Sequence, residues 1–99
     1  MNDGHTSSRN AHVAEVLICN RKGLHARASA KFVKCAERFD AEVSVVREGQ
    51  SVGGTSIMGL MMLAARKGDT VVVQAEGPQA RQALDALIEL IGSRFGEDA

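Results

Sequence analysis

The hydrophobic period of this chain changes once near its start, and that change decides how its first elements fold. Ala14, Val16 and Ile18 alternate with Glu15 and Leu17, the period of two that a half-buried strand requires. Further on, Ala28, Phe32, Ala36 and Phe39 recur at the spacing of one face of a helix. Between the two runs lies Lys22-Gly23-Leu24-His25-Ala26-Arg27-Ala28-Ser29, where Gly23 permits a sharp change of direction. His25 therefore sits just ahead of the helix, and Arg27 falls in its first turn. Backbone N–H groups there have no intrahelical partner, and the positive end of the macrodipole adds to them. Such a start is a ready anion site. An imidazole in it, with a guanidinium two residues on, suits a nucleophile whose product is an anion. Position alone also allows a solvated or capping histidine and a solvated first-turn arginine.

The remaining elements follow in order. Residues 1–11 (MNDGHTSSRNA) are polar and without apolar period, so they read as a tail. His5 lies in that tail, and His12 borders the first strand, expected over 12–19. The first helix is expected to run to about Phe39, with Ser29, Lys31, Lys34, Glu37 and Arg38 on its wet side. Glu42 to Arg47 is a second strand, Glu48-Gly49-Gln50 a hairpin turn, and Ser51-Val52-Gly53 a short edge strand. Thr55 or Ser56 caps a compact second helix over about 57–65, closed by Arg66-Lys67-Gly68-Asp69 with Gly68 as a left-handed stop. Thr70-Val71-Val72-Val73-Gln74-Ala75 reads as a central strand. Gly77-Pro78 starts the last helix, whose stripe is Ala80, Leu84, Leu87, Ile88 and Ile91. Residues 96–99 are expected to fray. The order β-α-β-β-α-β-α argues for an α+β fold, one antiparallel sheet with helices on one face.

Composition narrows the function classes. A domain of about 85 residues, here 12–95, buries one core and folds alone. Only Phe32, Phe39 and Phe95 are aromatic, so that core is aliphatic. Twelve acidic against twelve basic side chains give a formal charge of zero, and no footprint for nucleic acid or a membrane surface appears. Locally, Arg21, Lys22, Arg27, Lys31 and Lys34 form a small basic rim around His25. Cys19 and Cys35 have neither CxxC spacing nor metal-ligand spacing to the histidines, which fits reduced thiols in a cytoplasmic protein. No metal site or cofactor is indicated. No stretch approaches the roughly 18 apolar residues of a membrane span.

Two motifs carry a family resemblance. Gly23-Leu24-His25-Ala26-Arg27, followed by Ser56-Ile57-Met58-Gly59-Leu60-Met61, is similar to the histidine phosphocarrier family, HPr, and the similarity runs from about residue 12 to 95. It implies an open-faced β-sandwich in which three helices cover one side of a four-stranded antiparallel sheet. It implies a carrier that is not itself an enzyme: His25 takes a phosphoryl group on Nδ1 from the phosphohistidine of Enzyme I and yields it to an EIIA-type domain. Arg27 assists by a charge-assisted hydrogen bond. The family usually has proline directly after this arginine. Here Ala28 stands instead, which points toward a divergent branch such as the nitrogen-related or regulatory chains.

Ser56 has two readings. As a helix cap it needs no other role. By resemblance it is the serine that an HPr kinase/phosphorylase modifies in some lineages, adding about −1.5 to −2 charges at a helix start. The helix after it is more apolar than one buried side requires. Ile57, Met58 and Met61 are expected to leave an exposed patch beside His25, since adaptable methionine surfaces suit several partners. With Ala30, Lys31 and Lys34 of the first helix they make the implied docking face of a monomer for Enzyme I and its acceptor. The alternative is a non-catalytic regulatory binding module that uses the Ser56 helix surface alone.

Overall fold

The computed structural model describes residues 11–98. His5 and the rest of residues 1–10, and Ala99, lie outside the described residues. Strand β1 spans Ala11–Leu17, helix α1 Ala26–Ala36, β2 Glu42–Arg47, β3 Gln50–Gly53, α2 Ile57–Met62, β4 Thr70–Glu76 and α3 Ala80–Gly92, followed by a 3-10 turn at Arg94–Gly96. All three helices lie on one face of a four-stranded antiparallel sheet, as the element order implied.

The strand order is β1-β4-β2-β3. The valine-rich β4 is internal, pairing Val71 with Val16 of β1 and Val73 with Val45 of β2. The short β3 lies at an edge and pairs with β2 alone, Arg47 opposite Gln50. Glu48 and Gly49 between them both take left-handed backbone, φ 52° and 80°, the geometry that a two-residue hairpin turn requires.

One sheet face is dry. Val16, Val43, Val45, Val71, Val73 and Ala75 are buried there, packed with Phe32 of α1, Leu60 of α2 and Ala83, Leu84, Leu87 and Ile91 of α3. Each fully buried Leu, Ile or Phe contributes about 1.5–3 kcal/mol by leaving water. Val13 and Leu17 are exposed on the other face. Alternation along β1 puts them opposite Val16, so the valines of β4 are internal in the sheet without being buried on both sides.

Several local expectations are corrected. Ala11, assigned to the tail, pairs with Glu76 as the first residue of β1. Helix α1 ends at Ala36, capped by the Glu37 N–H. Ser29 is fully buried, not solvated, and its hydroxyl donates to the Leu24 carbonyl (3.1 Å). Helix α2 stops at Met62, because Ala64, not Gly68, takes the left-handed position after its cap (φ 55°). That turn delivers the Ala65 carbonyl to the Leu24 N–H (3.0 Å). Gly68 instead turns the chain into β4, where its N–H donates to the Ile18 carbonyl (2.8 Å). Pro78 lies outside α3, whose N-cap is Gln79. Gln79 is tied to the turn after α1, its side-chain oxygen accepting from the Asp40 N–H (2.7 Å).

Candidate functional site

The site is the loop between β1 and α1, and tertiary contacts hold it in place. The Gly23 N–H donates to the Asn20 carbonyl (3.2 Å), closing a tight turn. Gly23 takes φ +64°, and a Cβ on it would lie 2.3 Å from the Ala65 carbonyl oxygen. Only glycine satisfies both the backbone conformation and that close approach. The segment after α2 thus forms the floor on which the His25 loop rests.

His25 is the N-cap of α1, with extended backbone (φ −75°, ψ −177°). Its Nδ1 accepts a hydrogen bond from the Arg27 N–H at 3.3 Å, long for such a bond. Histidine here occupies the place usually held by a Ser, Thr, Asp or Asn oxygen. The other ring nitrogen, Nε2, lies 2.7 Å from a carboxylate oxygen of Glu97. The second Glu97 oxygen accepts from the side-chain amide of Asn20 (3.1 Å), which also donates to the Gly23 carbonyl (2.9 Å). Both acceptors fix which end of that fully buried amide faces them. Its oxygen is left buried without a partner among the described residues.

Burial raises the Glu97 carboxyl, but hydrogen bonds from His25 and Asn20, the positive charge that His25 carries when protonated, and that of Lys31 outweigh it. The net effect is to hold Glu97 below its ordinary 4.5 and ionised at neutral pH. An ionised carboxylate only accepts, so Nε2 carries the proton and the Nδ1 lone pair faces the helix start. Arg21, Lys22, His25, Ala26, Arg27, Glu97 and Asp98 line a cleft of about 520 Å³ at this point. Arg27 lines it with an exposed guanidinium that has no ion pair among the described residues.

Among the described residues, the end of the chain is engaged with the rest of the fold as far as Glu97. Phe95 is buried as a core plug, its carbonyl accepts from the Lys31 ammonium (2.7 Å), and Glu97 reaches His25 beyond it. Arg94 and Phe95 both take left-handed backbone, φ 60° and 55°, a conformation that costs about 1–3 kcal/mol for each such residue. Glu97 and Asn20 are therefore site residues that sequence reading missed. The available signal was Phe95 itself, an aromatic residue past the last helical turn that had to be anchored somewhere.

The other expected site residues divide between two helices that pack on each other. On α1, Ala30 is half-buried, Lys34 is exposed, and Lys31 is engaged with the Phe95 carbonyl. On α2, Ile57 (41%), Met58 (71%) and Met61 (41%) are exposed, and Met62 (65%) joins them. Ser56 is the N-cap of α2, its hydroxyl accepting from the Gly59 N–H at 2.9 Å.

A family model described as the PTS HPr component phosphorylation site matches residues 13–93. The chain belongs to the HPr family. Members of this family are phosphocarriers of the phosphotransferase system, carriers and not catalysts. The chain is 49% identical over 83 residues to the phosphocarrier protein HPr of Cupriavidus necator, covering 84% of this chain and 93% of that protein. It is 40% identical to the phosphocarrier protein NPr of Shewanella violacea, over 84% of this chain and 91% of the relative. Among solved structures it resembles HPr-C-His from Thermoanaerobacter tengcongensis, with a TM-score of 0.85, 39% identity and 89% and 99% of the two chains covered. Within this HPr framework, Ala28 in the usual proline position leaves α1 intact: the helix begins at Ala26, and Ala28 is fully buried against the core. No helix among the described residues is long and apolar enough to cross a membrane.

Proposed function

We propose that His25 is the phosphoryl acceptor of this chain, charged on Nδ1 by the phosphohistidine of Enzyme I and discharged to an EIIA-type domain in the cytoplasm. The observation that carries the reading is the placement of the imidazole. Its Nδ1 lone pair lies at a helix start, its Nε2 is tied to a carboxylate, and Arg21, Lys22 and Arg27 rim the cleft. Because the Arg27 N–H bond to Nδ1 is long, little is lost when that lone pair turns to phosphorus. The freed N–H and the Arg27 guanidinium then donate to phosphoryl oxygens. Positioning and charge stabilisation supply most of what phosphoryl transfer needs.

Ile57, Met58 and Met61, with Ala30 and Lys34 of α1, form the docking face for both partners, and the carrier acts as a monomer. Ser56, exposed at the start of α2, is the regulatory position. A phosphate there, added by an HPr kinase/phosphorylase, repels partners without unfolding the helix it caps.

Incubation with Enzyme I and phosphoenolpyruvate, followed by intact-mass and phosphorus NMR measurement, tests this reading. One acid-labile phosphate is expected, absent from His25→Ala while the fold persists. No labelling of the unaltered chain would overturn the carrier role and leave the regulatory binding module. On the docking face, Met58→Glu is expected to slow transfer by about thirtyfold or more, since a charge left buried and unpaired at an interface costs at least about 2 kcal/mol, with no loss of stability. Unchanged transfer kinetics would place the docking face elsewhere.

A further inference from the structure

The chain's final turn is built at a cost, and what it delivers is one carboxylate. Two consecutive non-glycine residues, Arg94 and Phe95, are held in left-handed backbone. Phe95 fills the core, and Lys31 clamps its carbonyl. A fully buried amide, Asn20, spends one of its donors on Glu97. Observed strain that surrounding structure over-determines is a guide to function, and here everything it positions ends at the Nε2 of His25, 2.7 Å from the Glu97 carboxylate.

We propose that Glu97 is a positioning residue for phosphoryl transfer at His25, fixing the Nε2–H tautomer and acting as counterion to the phosphorylated ring. The proposal rests on His25 being the acceptor. In the forward step the Nδ1 lone pair forms the N–P bond while the N–P bond of the donor's phosphohistidine breaks, its electron pair staying on the donor's ring nitrogen. The His25 ring now carries phosphorus on Nδ1 and a proton on Nε2, so it is formally an imidazolium. Glu97 already faces that proton and neutralises the charge as it forms. In the reverse step the N–P pair returns to Nδ1 and the ring is neutral again. No proton has to arrive or leave in either direction. Without the carboxylate the neutral ring divides between two tautomers, and only the one with a free Nδ1 can attack. This is the arrangement by which a hydrogen bond at one ring nitrogen sets the chemistry of the other.

The test uses the full chain with nitrogen-15 in its histidines, as the unaltered protein, Glu97→Gln and Glu97→Ala. Long-range proton–nitrogen NMR reads the tautomer of the neutral His25 ring, and mixing with stoichiometric phospho-Enzyme I, without phosphoenolpyruvate, reads the transfer equilibrium by intact mass. The unaltered ring is expected in the Nε2–H form. Glu97→Gln keeps it, because the amide oxygen still accepts, but loses the counterion and shifts the equilibrium about tenfold toward Enzyme I, the worth of one charged hydrogen bond. Glu97→Ala loses both and shows a mixed tautomer. A purely structural role would move neither the tautomer nor the equilibrium of the folded variants. Normal labelling with an unchanged tautomer and equilibrium in Glu97→Ala overturns this inference alone, as does faster or fuller labelling, which would mark Glu97 as an obstruction. Absence of labelling in the unaltered protein overturns the acceptor role of His25 and the counterion role with it.

Discussion

Helices α1 and α2 begin alike and differ in what holds the residue at each start. Each has an extended N-cap residue whose side chain accepts one early backbone N–H: His25 from Arg27 at 3.3 Å, Ser56 from Gly59 at 2.9 Å. The Ser56 bond is the better cap, and nothing else among the described residues is hydrogen-bonded to that hydroxyl. The His25 bond is the poorer cap, yet its ring is held a second time by Glu97 and surrounded by cationic side chains. A helix start by itself offers only a partial positive charge. At α1 the capping side chain is also held from elsewhere in the fold, by Glu97, and its longer cap bond engages the Nδ1 lone pair only lightly.

Changes at either start can break or sharpen this contrast. The largest effect is expected from Gly23→Ala, which puts a methyl group against the Ala65 carbonyl and strains a left-handed residue. A loss of about 2–3 kcal/mol in urea unfolding is expected, with the His25 loop displaced. A loss below 1 kcal/mol would mean that the floor under the loop yields. Next comes Ser56→Ala, which removes the sound cap and is expected to lower stability by about 1 kcal/mol while leaving phosphate acceptance at His25 unchanged. If acceptance fell with stability, the two helix starts would be one coupled unit instead of two separate ones.

The smallest effect is a pH dependence. Glu97 is held below its ordinary 4.5 despite the opposing effect of burial. Asp69 is held below 3.8, first by the hydrogen bond from the Arg66 N–H and then, against burial, by Arg47 and Arg66. A carboxylate lowered on folding binds its proton more tightly when unfolded, so its stabilisation is complete above the unfolded value and is lost as pH falls through the folded one. Unfolding free energy is therefore expected to decline below about pH 4.5, and Glu97→Gln to flatten the upper part of that decline. An identical pH profile in the variant would show that the carboxylate's hold on His25 adds no stability.

Much of the fold was legible because its signals are local. The period change at Gly23, the valines of β4 and the stripe of α3 each occupy a few neighbouring residues, and each became the element it suggested. Errors came where a local signal was overruled at a distance. Ser29 has the polarity of a solvated helix position but is buried under the loop it anchors. Gly68 has the freedom of a helix stop, yet Ala64 makes the turn because Ala65 must meet Leu24. In the site, His25 and Arg27 were legible as a pair two residues apart, whereas Glu97 was assigned to a fraying end.

What the sequence determined by itself was the succession of strands and helices and the placing of a histidine at a helix start. Period, turn chemistry and capping act between near neighbours and are written in them. The strand order β1-β4-β2-β3, the burial of one sheet face alone and the seating of Glu97 on a ring 72 residues away were decided only by the tertiary structure. A contact over that separation leaves no periodic trace in the chain. It exists because Phe95 has one apolar place to go, and the residue after the next is carried with it to His25.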